Sequence, residues 1–259
     1  MPDTIRIDKD ARGVATLWLT RGDKHNSMNA ALIAELAEAC VALTADASVR
    51  VVVLAAEGKS FCAGGDLGWM QDQMAATAEE RAAGARTLAG MLGALDTLPK
   101  PLIGRVQGQA FGGGIGLMSV CDVAIGATGA NFALTEVRLG LIPATISPYV
   151  IKRIGEPNAR RMMLSGRVFD SEGAAALGLL ARVVAPDALD AAVEEEIAPF
   201  LKVAPGAVEK TKRLIRGQGG AVDPGRVEAS IAALVEAWED AEAAAGISAF
   251  FAKEKPPWG

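Results

Sequence analysis

Phe61-Cys62-Ala63-Gly64-Gly65-Asp66 and Ala110-Phe111-Gly112-Gly113-Gly114-Ile115-Gly116 are two glycine-rich turns, each preceded by an apolar strand-like run and followed by a helix-like one. The order strand, turn, helix recurs at a spacing of roughly 50 residues, which implies parallel strands with helices outside them. The fold class read from this pattern is α/β. Glycine lets a backbone approach its neighbour closely, and tight strand-to-helix packing alone accounts for one such turn about as often as not. Two in register carry more. The first N–H groups of a helix have no intrahelical acceptor, so the pair can aim two donors at one oxygen.

Outward from these turns, alternation over 4–7 and Val14–Leu19 predicts an opening β-hairpin. Asn26 or Asn29 caps a helix running to about Ala45, with Leu32, Ile33, Leu36 and Cys40 on one face. The apolar run 50–55 reads as a strand covered on both sides. Thr77-Ala78-Glu79-Glu80 matches a capping box, and its helix should reach about Leu98, ahead of Pro99. Further strands are expected over 101–106 and 122–126. Ser147-Pro148 places a cap and a first-turn proline before a short helix that Gly155 closes. Beyond about Pro186 the pattern is helical only, over 187–200, 206–216, 223–245 and 247–254. This divides the chain into an α/β core carrying the site (1–195) and a helical C-terminal region (196–259).

A chain of 259 residues, 51% hydrophobic and 22% charged, can bury a full core without disulfide or metal staples. The net charge of −5, with no basic block, argues against nucleic acid as the main partner. Arg21 and Lys24 share one early loop and offer an anionic ligand its local positive charge. Three cysteines, Cys40, Cys62 and Cys121, form no CxxC pair, which favours reduced thiols and a cytoplasmic setting. They read as small buried hydrophobes rather than nucleophiles. The opening MPDTIRIDKD lacks the apolar segment of a secretory signal and is too acidic for a transit peptide. The uncharged run 106–121 is short for a membrane span and is broken by five glycines, so it reads as buried core.

Several chemistries drop out. Gly58-Lys59-Ser60 ends like a phosphate-binding loop, but Val53 stands where that pattern needs glycine. Neither glycine turn has dinucleotide spacing. His25 is the only histidine and no GxSxG elbow exists, so a serine triad is unsupported, as is a metal site. One acid remains conspicuous: Glu136 is alone between Asp122 and Glu156, among Phe132, Leu134, Val137, Leu139, Leu141 and Ile142. Such isolation argues for partial burial and a raised pKa suited to acid–base work. The plain alternative is a surface carboxylate paired with Arg138.

At these residues the chain resembles the crotonase superfamily, the enoyl-CoA hydratases and isomerases. The resemblance runs nearly full length through LTRGDKHNSMNAALIAEL, FCAGGDLGWM, KPLIGRVQGQAFGGGIGLMSVCD, FALTEVRLGLIPATISPYVIKRIG and GISAFFAKEKPPW. It implies a spiral of ββα units with a trailing helical region, and assembly as a homotrimer or a dimer of trimers. It also implies an acyl-CoA thioester substrate, with coenzyme A part of the substrate and no separate cofactor or metal. By motif, Gly65 and Gly113 supply the oxyanion-hole N–H groups and Glu136 is the catalytic carboxylate. Lys24, Ala63, Asp66 and Leu67 fall where the family contacts coenzyme A or the acyl group. Trp69 and Met70 would line the acyl pocket or, being apolar, belong to the plain core, and Phe250 and Lys253 lie in a terminal segment that often closes over a neighbouring subunit's adenine. Ordinary hydratases of this family carry a second catalytic glutamate just after the second glycine turn. Here that position is Gly116. Two branches tolerate the loss: Δ3-Δ2 enoyl-CoA isomerases, and bacterial 3-methylglutaconyl-CoA hydratases of leucine catabolism. The stretches ATLWLTRGDKHNSMNA and EVRLGLIPATISPYV look more like the latter. A non-catalytic acyl-CoA-binding homologue is a third reading, which retention of Glu136 argues against. Arg138, Lys152 and Arg153 are the candidates for holding a distal substrate carboxylate.

Overall fold

The computed structural model describes residues 4–259, so Met1, Pro2 and Asp3 of the opening stretch lie outside the described residues. In chain order the elements are β1 (Ile5–Lys9), β2 (Val14–Leu19), α1 (Ala30–Ala45), β3 (Val51–Ala56), β4 (Ser60–Cys62), α2 (Leu67–Ala75) and α3 (Ala78–Thr97). Next come β5 (Leu102–Val106), β6 (Gln109–Phe111), α4 (Gly113–Val120), β7 (Val123–Ala127), β8 (Asn131–Ala133) and α5 (Ser147–Met163). The chain closes with β9 (Phe169–Asp170), α6 (Ser171–Ala176), β10 (Arg182–Val184), α7 (Leu189–Phe200), α8 (Pro205–Ile215), α9 (Pro224–Glu239) and α10 (Ala241–Ala252).

Two sheets organise these elements, ordered β1-β2-β3-β5-β7-β10 and β4-β6-β8-β9. Pairings within both are parallel, apart from the opening β1–β2 hairpin and the β8–β9 pair. After the opening hairpin, the strand pairs β3-β4, β5-β6 and β7-β8 each send one strand to the large sheet and a short second strand to the small one before a helix, the ββα spiral. The uninterrupted apolar run of β3 has a direct cause. Val52, Leu54 and Ala56 face a core shared with Leu32, Leu36 and Leu92, while Val51, Val53 and Ala55 face α7 through Leu189, Val193 and Ile197. Both faces are covered, so alternation disappears.

Asn29, not Asn26, caps α1, its side chain accepting from the Leu32 N–H at 2.9 Å. The capping box of Thr77 and Glu80 is formed in both directions at the start of α3. Ser147 turns out to be the first helical residue rather than a cap, and Gly155 (φ 75°, ψ 156°) interrupts the helix, which resumes to Met163. The helix expected over 223–245 is broken at Asp240, whose extended backbone ends α9 and whose carboxylate caps α10. Residue 195 lies inside α7, which packs on the large sheet, so the helical region leaves the core only after Phe200. No helix among the described residues is long and apolar enough to cross a membrane.

Candidate active site

The glycine turns leave adjacent strands of the small sheet, where β4 and β6 run parallel with Cys62 opposite Ala110. They touch. A Cβ on Gly64 (φ +91°) would lie 3.0 Å from the Phe111 carbonyl oxygen, and one on Gly114 would lie 2.3 Å from that of Cys62. Side chains at either position would force the turns apart, which explains the glycines physically. Met28 braces the pair. Its N–H donates to the Gly64 carbonyl at 2.7 Å, its carbonyl accepts from the Asp66 N–H at 2.9 Å, and its methyl lies against Gly113. The bonds through Met28 pass over the Gly65 N–H, which has no acceptor among the described residues. The Gly113 N–H, opening α4, likewise has none.

Glu136 begins a single 3-10 turn, Glu136–Leu139, after β8. The Gly112 N–H donates to the Ala133 carbonyl at 3.0 Å, tying the start of α4 to the end of β8. A Cβ on Gly112 (φ 48°, ψ −114°) would come 2.7 Å from Glu136 Oε1, so the carboxyl group rests against the first turn of α4. Oε2 is buried with no hydrogen-bond partner among the described residues, and burial pushes the carboxyl pKa up to about 7. Glu136 makes no ion pair with Arg138, which is exposed. The surface-pair alternative for Glu136 therefore does not hold.

Gly116 sits one helical turn below Gly112 and is buried. A Cβ there would meet Ile146 Cγ2 at 2.7 Å, with Leu92 Cδ2 behind at 3.8 Å. The volume that a side chain at 116 would take is filled with hydrocarbon. The other expected residues divide into two groups. Trp69 lies over Gly65, its ring 3.6 Å from where a Cβ would stand, and Met70 joins a cluster with Leu141, Ala243 and Ile247. Ala63 donates its N–H to the His25 carbonyl at 3.0 Å, and Lys24 is exposed on the same loop with no ion pair among the described residues. The Asp66 carboxylate, by contrast, is occupied internally. It caps α2 through Gly68 and Trp69 and pairs with Arg21 at 2.8 Å. Burial works to raise its pKa, but Arg21 and the accepted hydrogen bonds outweigh this and hold it below the usual range. Arg21 is thereby spent on structure rather than on a ligand. Leu67 and Phe250 are exposed, and Lys253 ends α10 in a left-handed conformation. Lys152 pairs with Asp96 at 2.7 Å and Arg153 donates to the Ser119 carbonyl at 3.3 Å, so neither is free to greet a carboxylate.

The site holds two N–H groups without acceptors among the described residues, Gly113 opening α4 and Gly65 in the turn before α2, together with a carboxyl group that holds its proton near neutrality. The family model for enoyl-CoA hydratase/isomerase matches residues 9–259. The chain belongs to the enoyl-CoA hydratase/isomerase family. Among its relatives, the 2,3-dehydroadipyl-CoA hydratase of Escherichia coli is 31% identical over 94% of this chain and 94% of its own length. The human mitochondrial methylglutaconyl-CoA hydratase is also 31% identical, over 85% of this chain and 67% of its own. The crystal structure of an enoyl-CoA hydratase from Shewanella pealeana superposes with a TM-score of 0.82 at 36% identity, covering 100% of this chain and 97% of that one. Within this hydratase-type frame, Met28, Gly112 and Ile146 are the site residues that sequence reasoning did not single out. Gly112 was visible as part of its turn. Met28 and Ile146 carry no chemical signature, because their roles are contacts across the fold.

Proposed function

We propose that the chain reversibly hydrates 3-methylglutaconyl-CoA to 3-hydroxy-3-methylglutaryl-CoA, using one carboxyl group for both proton transfers. Water adds at C3 of the unsaturated thioester while negative charge gathers on the thioester oxygen, between the Gly65 and Gly113 N–H groups. One such donor is typically worth about 3–4 kcal/mol of barrier. Glu136 takes a proton from water and returns one to C2 on the same face, so one acid suffices for syn addition. A pKa of about 7 suits both directions of transfer. The observation that carries this reading is the Glu136 carboxyl group resting on Gly112, with Oε2 buried and unpartnered, beside the open Gly113 N–H.

The similarity to the human methylglutaconyl-CoA hydratase supports the choice of substrate within the family. Exposed Lys24, on the loop whose His25 carbonyl accepts from the Ala63 N–H, is proposed to meet the coenzyme A moiety, which arrives as part of the substrate. Phe250 and Lys253, exposed at the end of α10, are available to a neighbouring subunit in a trimer or a dimer of trimers. Cys40, Cys62 and Cys121, buried and without disulfides, fit a cytoplasmic setting, and leucine catabolism follows from the proposed substrate.

A Δ3-Δ2 enoyl-CoA isomerase is the second reading, favoured by the hydrocarbon at position 116, which leaves water a single carboxylate to bind. A spectrophotometric comparison of 3-methylglutaconyl-, crotonyl- and 3-hexenoyl-CoA separates the two. Loss of enoyl absorbance on the first alone supports the hydratase. Gain of conjugated absorbance from 3-hexenoyl-CoA without hydroxylated product overturns it in favour of the isomerase.

A further inference from the structure

A cavity of about 440 Å³ lies between α3 and the stretch from Arg216 into α9, and it shares no lining residue with the glycine turns or Glu136. Its walls are mainly apolar, with Ala89, Val222, Val227 and Ile231 among them. Gly90 opens the α3 side, since a Cβ there would meet nothing within 4 Å. The charges around it are nearly all matched. Arg86 pairs with Glu228 at 3.1 Å and Asp96 with Lys152 at 2.7 Å. Arg216 is the exception: it has no ion pair among the described residues, and its Nη1 is buried without any hydrogen-bond partner. A second cavity, of about 410 Å³, shows the usual pattern. There Lys9, Arg12 and Arg105 hold Asp46, Asp10 and Asp190 at 2.7, 2.8 and 2.6 Å.

We propose that the α3–α9 cavity binds a small free monocarboxylate with an aliphatic tail, separately from the thioester site. The buried Nη1 of half-buried Arg216 is a donor with no acceptor, which is costly, and a carboxylate supplies two oxygens in the geometry of the guanidinium fork. The tail lies along Ala89, Val227 and Ile231, and the notch at Gly90 makes room for it. A neutral ligand would leave Arg216 uncompensated. A dianion would bring a second charge for which the lining offers no free cation.

The test is calorimetric titration of the full chain with hexanoate. Saturable binding is expected, weakened roughly tenfold or more by Arg216→Gln. Gly90→Leu should abolish binding by filling the notch. Its Cβ meets nothing within 4 Å, and leucine favours helix over glycine, so the fold is kept. Glu136→Gln should leave binding unchanged, and hexan-1-ol should bind more weakly than the acid. Absence of saturable binding overturns the proposal, as does equal binding by Gly90→Leu or by Arg216→Gln. Loss of binding in Glu136→Gln assigns the acid to the thioester site and overturns it too. None of these outcomes depends on which enoyl-CoA the enzyme turns over.

Discussion

Glu136 is the residue to which the proposed reaction assigns both proton transfers, and its environment makes two opposite demands. Burial lifts its pKa from 4.5 to about 7, which suits proton transfer but disfavours the charged form in the folded state. A carboxyl group with a raised folded pKa stabilises the protein fully below its unfolded pKa and loses that contribution as pH climbs toward 7. Glu136→Gln should therefore be more stable than the parent at pH 8, by on the order of 2 kcal/mol, with the gap closing near pH 4. Thermal melts across that range read the difference directly. The same variant should lower kcat by about 10² or more with thioester binding largely kept. In the parent, kcat/KM for hydration should rise with pH and level off above about 7, and a flat profile would remove Glu136 as the base. Gly116 poses a different test. Gly116→Glu alone must displace Ile146, whose Cγ2 stands 2.7 Å from the new Cβ, so it should destabilise without adding turnover on crotonyl-CoA. Combined with Ile146→Gly, which vacates that volume, the glutamate has room, and crotonyl-CoA hydration should rise in the double variant only.

Among the elements, α3 and α4 begin in contrasting ways. Thr77 and Glu80 satisfy the first N–H groups of α3 from within its own sequence, which is why that start could be located to the residue. Thr77→Ala should cost about 1 kcal/mol by denaturant unfolding and leave catalysis intact. α4 has no side-chain cap at all, because Gly112 precedes it. Its opening N–H is left for a ligand, and the position tolerates no Cβ, since Glu136 Oε1 is there already. The strands β4, β6 and β8, three residues each, leave no separate signature in the sequence. A three-residue run carries too little alternation to mark a strand, and these exist because parallel neighbours complete their hydrogen bonds.

Across the whole fold, the C-terminal region closes back over the turn that carries Glu136. A Cβ on Gly246 of α10 would lie 2.5 Å from the Leu139 backbone, and one on Gly140 would lie 2.3 Å from the Glu242 carbonyl oxygen. The turn carrying Glu136 is thus clamped by a helix more than a hundred residues later in the chain. Gly246→Ala should lower stability and kcat together, whereas a purely local role would move the melting temperature alone. Local pattern sufficed for the alternation of parallel strands with helices, the double coverage of β3, the helical tail and the isolation of Glu136, because each depends on neighbours within a few turns of chain. Contacts between distant segments decided the rest. Met28 came to brace Gly65 against Gly113, Asp66 was turned inward to Arg21, Ile146 filled the space beside Gly116, and Lys152 was taken by Asp96. Residue type and spacing select which groups can do chemistry. Whether a polar group stays open or is consumed by a partner depends on which distant segment folds against it, and that is settled only when the chain closes on itself.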